Sequence, residues 1–277
     1  LVITRGTAAR AADPATGTAA VVGTLQTLTL ANLNLQASGQ PHQLDITATG
    51  QAAQGPWRGT LDTQGKLQLG SAQRPDIDSG RLDLTRLQLR ATDSARKDRV
   101  VDWTLQSVAA LGLRWQDARS AINLQADAGQ LRLQPSFSNR VGGAPAATPA
   151  TTAPMTLAWD QLSWQKGALM TRGQLTGLPL SWVDAFTTAE GAKSGPLSQA
   201  GLGGDVVFDG SWDFLLPADA ATPPRLSAQL QRRSGDLSVQ TDGAFDENTI
   251  STQRLQTGIK EARLSVTTQG ANVQASL

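Results

Sequence analysis

The stretch Leu82-Asp-Leu84-Thr-Arg-Leu87-Gln-Leu89 repeats the leucine spacing of Leu28-Thr-Leu30-Ala-Asn-Leu33-Asn-Leu35, and both read L-x-L-x-x-L-x-L. On a helix, the middle leucines would lie opposite the outer pair, so no single apolar stripe would form. On a strand, one extra residue at the centre, accommodated as a β-bulge, returns all four leucines to one face and bends the strand. Because alternate positions such as Thr29, Asn34 and Asp83 are polar, we expect curved strands rather than strands buried on both sides.

Apolar and polar residues also alternate along much of the remaining chain, which is typical of strands with one buried face. Clusters containing glycine separate these runs and predict turns, for example Thr63-Gln-Gly65, Asp127-Ala-Gly129 and Ser234-Gly-Asp236. Short strands at this spacing predict an all-β fold with mainly antiparallel neighbours, and the bulges above predict that the sheet is curved. The clearest alternating runs are Leu67-Gln-Leu69, Ile122-Asn-Leu124, Leu131-Arg-Leu133, Leu237-Ser-Val239 and Leu264-Ser-Val266.

Only one helix is predicted, near residues 181–190. Ser181 is a suitable N-cap, and Trp182, Ala185 and Phe186 share one helical face at spacings i, i+3 and i+4. Residues 140–154 are rich in Ala, Pro and Thr and lack periodicity, so they predict a flexible insertion. The chain therefore divides into a β-sheet section over 1–139, this insertion, and a continuation of the sheet over 155–277.

The composition narrows the classes of function. The 277 residues carry 24 Lys+Arg and 23 Asp+Glu, a formal charge of +1, which speaks against binding nucleic acid by phosphate neutralisation. The absence of cysteine excludes disulfides, thiolate catalysis and cysteine-type zinc sites. No run approaches the 18 or so apolar residues that cross a bilayer, so we expect any membrane anchor to lie outside this chain.

We expect no catalytic residue, no metal site and no cofactor. The single histidine, His42, lies in a predicted turn near Asp45, without a nucleophile-elbow pattern to complete a triad. Carboxylates four apart on a strand lie roughly 13 Å from each other, too far to share an ion. A second acidic group lacks EF-hand spacing, so turn and edge roles are expected for both groups. The acidic residues weighed are Asp205, Asp209 and Asp213 in the first group, and Asp242, Asp246 and Glu247 in the second.

Seven tryptophans and no tyrosine are present. Packing in the core of the sheet is the simplest interpretation of the indoles. Alternatively, some of them line an apolar surface that a ligand contacts, or form a platform for sugars. The tryptophans are Trp57, Trp103, Trp115, Trp159, Trp164, Trp182 and Trp212.

The chain resembles an interior section of the TamB (translocation and assembly module) family, within the AsmA-like superfamily. The resemblance consists of strand-and-turn signatures spread along most of the chain, and none of them is a catalytic motif. They are Gly55-Pro-Trp-Arg-Gly-Thr-Leu61, Gly65-Lys-Leu-Gln-Leu69, Leu178-Pro-Leu-Ser-Trp182, Gly204-Asp-Val-Val-Phe-Asp-Gly-Ser-Trp-Asp213 and Arg232-Arg-Ser-Gly-Asp-Leu237.

This resemblance implies a long, U-shaped sheet whose concave side is lined with apolar residues. It also implies a protein that is anchored in the inner membrane of Gram-negative bacteria by a segment outside this chain and spans the periplasm. Such proteins are implicated in moving phospholipid toward the outer membrane and, with the Omp85-type partner TamA, in outer-membrane protein assembly. The family offers no catalytic residues to transfer.

The residues themselves are compatible with this picture. A flat sheet with one leucine-rich face would expose more apolar surface than soluble proteins tolerate, so it must curl, pack against another sheet or hold something apolar. Burying an acyl chain contributes about 0.8 kcal/mol per CH₂, so a leucine-lined groove can hold a lipid without polar chemistry. The candidate lining residues are Leu28, Leu30, Leu33, Leu35, Leu82, Leu84, Leu87 and Leu89.

Two other classes of protein remain open at this point. One is a structural or adhesive β-solenoid of a secreted protein, although the repeat seen here is longer and less regular than a solenoid coil. The other is a carbohydrate-binding β-sandwich that uses exposed tryptophans. The expected function is a non-enzymatic lipid conduit whose ligands are phospholipid acyl chains.

Overall fold

The protein is described by a computed structural model, which covers residues 2–4, 27–40, 42–55, 57–70, 77–93, 99–116, 122–141, 144–145, 150–151, 153–187, 195–219, 221–244, 250–269 and 272–276. The helices are α1 (Trp182–Thr187) and α2 (Pro196–Gln199). The strands are β1 (Val2–Thr4), β2 (Thr27–Gln40), β3 (Gln43–Gln54), β4 (Trp57–Leu69), β5 (Gly80–Asp93), β6 (Arg99–Ser107), β7 (Leu111–Gln116), β8 (Asn123–Ala126), β9 (Gly129–Val141), β10 (Ala144–Pro145), β11 (Ala150–Thr151), β12 (Met155–Gln165), β13 (Ala168–Pro179), β14 (Leu202–Gly204), β15 (Val207–Leu216), β16 (Arg225–Ser234), β17 (Leu237–Ala244), β18 (Ile250–Gln256), β19 (Arg263–Gln269) and β20 (Asn272–Ser276).

Each row of the main sheet pairs antiparallel with the next row along the chain. The order is β1, β2, β3, β4, β5, then β6 with β7, β8 with β9, β12, β13, β15, β16, β19 and β20. Strands β6 and β7 share one row because both pair with β5, and β8 and β9 share the next. The predicted all-β class, with a curved and mostly antiparallel sheet, is confirmed.

Bulges interrupt neighbouring rows at one common level. Thr85 is the extra residue of β5 opposite β4, and Asp160 is the extra residue of β12 opposite β13. Between them, the β6–β7 row is broken at residues 108–110 and the β8–β9 row at 127–128. Because a bulge bends its strand, these adjacent irregularities curve the sheet along one line, which we call the bulge line.

The bulges expected within the L-x-L-x-x-L-x-L stretches are confirmed. In β2 the register shifts between Ala31 and Asn34, and Asn32 adopts a φ of 51°. In β5 the extra residue is Thr85, at the centre of the second stretch. The bulge lets the backbone advance by one residue without sending the later leucines to the other face.

The turn expected at Thr63–Gly65 is wrong, because β4 runs straight through it. Gly65 lies beside the bulge of β5, where an added Cβ would overlap the backbone carbonyl of Asp83. The glycine signals at 127–129 and 234–236 also mark kinks instead of hairpin reversals: β9 continues the direction of β8, and β17 that of β16. Glycine at these places serves close backbone approach rather than chain reversal.

The helix predicted near 181–190 is confirmed as α1, and α2 was not expected. Trp182 is buried, whereas the side chains of Ala185 and Phe186 lie outside the described residues. In the segment 140–154, the short strands β10 and β11 both pair with β9. Strand β12 then continues the sheet beside β8 and β9. The flexibility of this segment, and the division into 1–139 and 155–277, stay predictions.

The two faces of the main sheet differ in chemistry. We call one of them the apolar face; one of its rows of opposed residues runs Leu44, Leu67, Leu82, Leu113, Ala126, Leu162, Thr171, Phe214 and Leu226. The neighbouring row on the polar face runs Gln43, Gln68, Arg81, Arg114, Gln125 and Ser163, and then continues through the apolar Met170 and Leu215 to Arg225. Strand β3 shows the same alternation from Gln43 to Ala52, with its polar-face residues exposed and its apolar-face residues half-buried.

At one end, three rows leave the main sheet together. Strands β14, β17 and β18 form a small sheet that continues β15, β16 and β19 beyond a kink at 205–206, 235–236 and 257–262. The Asp236 carboxylate sits in this joint and accepts hydrogen bonds from the backbone N–H groups of Gly258 (2.9 Å), Leu237 (2.9 Å) and Ile259 (3.1 Å). These bonds, with that of Gly258 the largest cause, hold the pKa of Asp236 below its ordinary value of 3.8.

The joint predicts a pH dependence. A depressed pKa in the folded state stabilises the fold above the ordinary pKa of 3.8, and this contribution is lost as the pH falls through the folded-state pKa. Asp236→Asn should therefore lower the free energy of unfolding at pH 7, and its difference from the native protein should shrink below pH 3.8. Urea titrations at pH 7, 5 and 3 measure this difference.

Asp45→Asn, on the exposed polar face of β3, is the control and should track the native protein at each pH. A difference for Asp236→Asn that stays constant from neutral to acidic pH would show that the carboxylate charge does not stabilise the joint.

Candidate functional site

The apolar face is the candidate site because most of its side chains are not covered. Among the described residues, only Trp103, Trp182 and Val206 are buried hydrophobics. The remaining leucines and indoles of this face are half-buried or exposed. A second sheet packed face to face would have buried these side chains, so the described part of the chain is not a β-sandwich.

The structure places the predicted leucines on this one face. Leu82, Leu84, Leu87 and Leu89 lie opposite Leu67, Gly65, Thr63 and Leu61, which alternate along β4 and so share a face. Leu30 and Leu35 lie opposite Ala52 and Ala48 of β3, and Leu33 lies over Gly50. Leu28 pairs with Gln54 through its backbone, and its side chain lies outside the described residues. That these leucines contact lipid stays a prediction.

Exposure is greatest at the edge of the face that β2 forms. Leu33 and Leu35 on β2 are 65% and 68% exposed. Away from that edge, Leu89 of β5 is 37% exposed, on the α1 side of the bulge line, and three further residues are between 37% and 38% exposed, namely Leu162, Trp164 and Leu216. These last three lie toward the ends of β12 and β15 that are remote from α1. We call this region the open end of the apolar face.

Sequence reasoning missed the contribution of β12, β13, β15 and β16 to this face. The L-x-L-x-x-L-x-L spacing does not occur there, although ordinary alternation does, as in Leu226-Ser-Ala228-Gln-Leu230. Register shows the link, because Leu157, Leu175, Gly210 and Leu230 oppose one another in turn across these strands. Alternation along each strand was the available signal, and antiparallel pairing would have aligned it.

Three indoles lie flat over glycines of the preceding row. Trp115, Trp159 and Trp212 are directly opposite Gly80, Gly129 and Gly173, and a Cβ on any of these glycines would overlap the indole. Each indole N–H is satisfied nearby: that of Trp115 donates to the Ile77 carbonyl at 3.0 Å, that of Trp159 to the Asp127 carbonyl at 2.9 Å and that of Trp212 to the Thr171 hydroxyl at 3.1 Å. The indoles therefore form a thin apolar floor and leave space above the sheet.

The end of the face near α1 is concave and filled. Trp103 of β6 and Trp182 of α1 meet edge to face, with ring centroids 5.1 Å apart. Both Trp57 of β4 and Leu178 of β13 pack against this pair. Four rows lie between β4 and β13, so a flat sheet would hold Trp57 and Leu178 about 24 Å apart. Contact with one indole pair requires the apolar face to curve inward here.

The Asp127 carboxylate lies at the bulge line and forms ion pairs with two arginines on the polar face. The carboxylate binds Arg81 Nη2 and Arg114 Nη2, both at 2.7 Å, and Arg81 also donates to Asp83. The hydrogen bonds to Asp83 and then to Asp127 raise the pKa of Arg81 above its ordinary value. A Cβ on Gly112 would collide with this carboxylate, so the close approach requires glycine. This ion pairing is structural, because Asp127, at the break of the β8–β9 row, joins Arg81 of β5 to Arg114 of β7.

The residues weighed for catalysis or metal binding lie apart from one another. His42 is half-buried in the turn between β2 and β3, where its carbonyl accepts the Leu69 N–H. Asp213 pairs with Arg172 at 2.7 Å, Asp209 accepts the Gly177 N–H, and Asp205 accepts the Asp236 N–H. Asp246 and Glu247, and the Asp242 side chain, lie outside the described residues. The part of the chain that the structure covers shows no group of three metal-ligating side chains.

The contact between indoles and glycines predicts how a glycine substitution changes the stability of the protein. Gly129→Ala should lower the free energy of unfolding by about 1–3 kcal/mol, because its Cβ would force Trp159 off the sheet. Gly59→Ala on β4 is the matched control, since its Cβ would meet Arg90 O at an ordinary 3.4 Å. Urea denaturation should show the control as neutral or slightly stabilised. Equal destabilisation by both substitutions would contradict the stacking of Trp159 on Gly129.

Among the described residues, no helix is both long and apolar enough to cross a bilayer. Comparison with protein-family models, curated proteins and solved structures found no match to this chain. What the protein does is therefore argued from the geometry and chemistry of its apolar face.

Proposed function

We propose that the apolar face binds the acyl chains of phospholipids. The chain would be a non-enzymatic section of a TamB-like protein that is anchored in the inner membrane and spans the periplasm. There it carries phospholipid toward the outer membrane and, with an Omp85-type partner such as TamA, supports outer-membrane protein assembly. The observation that carries the lipid proposal is the apolar face itself, which continues from row to row and is left largely uncovered.

The chemistry of the face favours an aliphatic ligand. From β3 to β16, most described side chains of this face are Leu, Ile, Ala, Gly, Trp, Phe, Met, Pro, Ser and Thr. Gln54, at the end of β3, and Arg232, near the end of β16, also lie on it, and the Arg232 guanidinium donates to the carbonyls of Gly235 and Lys260. Transfer of apolar surface out of water stabilises such contacts by about 25 cal/mol per Å². A face made mainly of aliphatic and aromatic side chains binds methylene groups and does not distinguish their positions.

The small number of polar groups on the face also favours movement of the ligand. Neighbouring rows are about 4.8 Å apart and present similar side chains, so an acyl chain exchanges one set of leucines for an equivalent set as it advances. Sites of similar free energy allow passive sliding without a chemical step. We infer that the section conducts lipid along the sheet and does not select it by headgroup.

The two rival functions receive less support. A β-solenoid stacks coils through parallel strands, whereas the described strands pair antiparallel in a meander. A carbohydrate site needs polar groups that pair with sugar hydroxyls, and three indoles of this face, those of Trp115, Trp159 and Trp212, use their N–H groups within the protein. Neither rival uses the uncovered leucines.

The decisive experiment compares two adjacent residues on opposite faces. Leu162 is on the apolar face and Gln161 is on the polar face of β12. Leu162→Arg should reduce bound phospholipid about tenfold or more, because a guanidinium in an apolar groove is costly to desolvate. Gln161→Arg should bind phospholipid like the native protein. Native mass spectrometry after mild purification, and again after incubation with phospholipid vesicles, measures bound lipid per chain.

Circular dichroism and urea denaturation establish that each variant is folded, and Leu216→Arg repeats the test from β15. A native protein that carries no phospholipid in either preparation would overturn the proposed function. So would an equal loss in the Leu162 and Gln161 variants. Binding of glycans by a lipid-free protein would favour the carbohydrate alternative.

A further inference from the structure

The apolar face is closed at one end of its strands by the protein's own side chains. Trp182 is 2% exposed and Trp103 is 5% exposed, and the residues that pack around them belong to β4, β5, β9, β12 and β13. We call this region the closed end. It is defined by Trp57, Ala91, Trp103, Leu133, Met155, Leu178 and Trp182.

Strand β12 connects the closed end to the open end. Met155 begins the strand and packs against the Trp103–Trp182 pair, whereas Leu162 and Trp164 near its other end are 37% exposed. The bulge at Asp160 lies between them. One strand therefore shows an occupied and an accessible section of the same face, separated by the bulge line.

Several hydrogen bonds fix the position of the segment that carries Trp182. The Asp184 carboxylate of α1 accepts the backbone N–H groups of Leu197 (2.7 Å) and Ser198 (3.0 Å), and also the Ser198 hydroxyl. The Leu180 N–H donates to the Val206 carbonyl at 2.8 Å, which ties the start of the segment to the residue before β15. An added Cβ on Gly195 would overlap the Asp184 carboxylate. These contacts fix α1 against α2 and hold Trp182 on the face.

We infer that Trp182 determines which part of the apolar face a lipid can occupy. This inference rests on the proposed function. The Trp182 indole fills the concave space over Met155 and Leu133 that acyl chains would otherwise enter. Acyl chains are thereby confined to the open end, over Leu162, Trp164 and Leu216. Trp182 acts as a specificity-determining residue, since it sets how much of the face is available to the ligand.

Photocrosslinking from the two ends tests the inference in the whole chain. A diazirine amino acid replaces Met155 in one variant and Leu216 in another, and each protein is loaded from radiolabelled phospholipid vesicles before irradiation. In the otherwise native protein, Leu216 should label lipid and Met155 should not. Adding Trp182→Ala should raise labelling at position 155 severalfold, while Trp182→Phe, which keeps an aromatic ring, should leave it low.

The outcomes separate this inference from the proposed function. Equal labelling from both positions in the otherwise native protein would overturn the role of Trp182 and leave lipid binding intact, and this comparison does not depend on the folding of any Trp182 variant. Unchanged labelling at position 155 in a folded Trp182→Ala protein would also overturn it. Absence of label from both positions would overturn the proposed function as well.

Discussion

Strict alternation of side chains along a strand is the constraint on which this structure depends. Each residue of a paired strand faces opposite to its neighbour, so a curved sheet with one apolar face must bend without losing that alternation. The protein meets this constraint with bulges that lie side by side in β5, the β6–β7 row, the β8–β9 row and β12. At the same level, the Asp127 carboxylate binds Arg81 and Arg114 on the polar face.

The fold class and the curvature were within reach of the sequence, because leucine spacing records a bulge directly. Glycine was harder to interpret, since the same residue permits a turn, a kink or a close approach. At Gly65 the cause is a carbonyl on the next strand, and at Gly129 it is an indole on the row that follows. Both partners are distant in sequence, so local pattern predicts a turn where the chain has none.

The candidate site was also predictable from the sequence only in part. Eight leucines on β2 and β5 were predicted from repeated spacing, and the structure places the seven whose side chains it describes on one face. The closure of one end of the apolar face by Trp182 could not be predicted, because it depends on where α1 lies against the sheet after β13. The pairing of Trp115, Trp159 and Trp212 with glycines likewise needs the strand register, which no single stretch of sequence contains.

The meander topology of the sheet has a consequence for how the chain acquires its structure. Strands such as β3, β4 and β5 are linked in sequence and also adjacent in space, so each row closes only a short loop. Folding can start at any hairpin and propagate row by row, as in a one-dimensional array in which each row interacts only with its neighbours. A chain emerging gradually, amino terminus first, can therefore settle each completed row before the next one arrives.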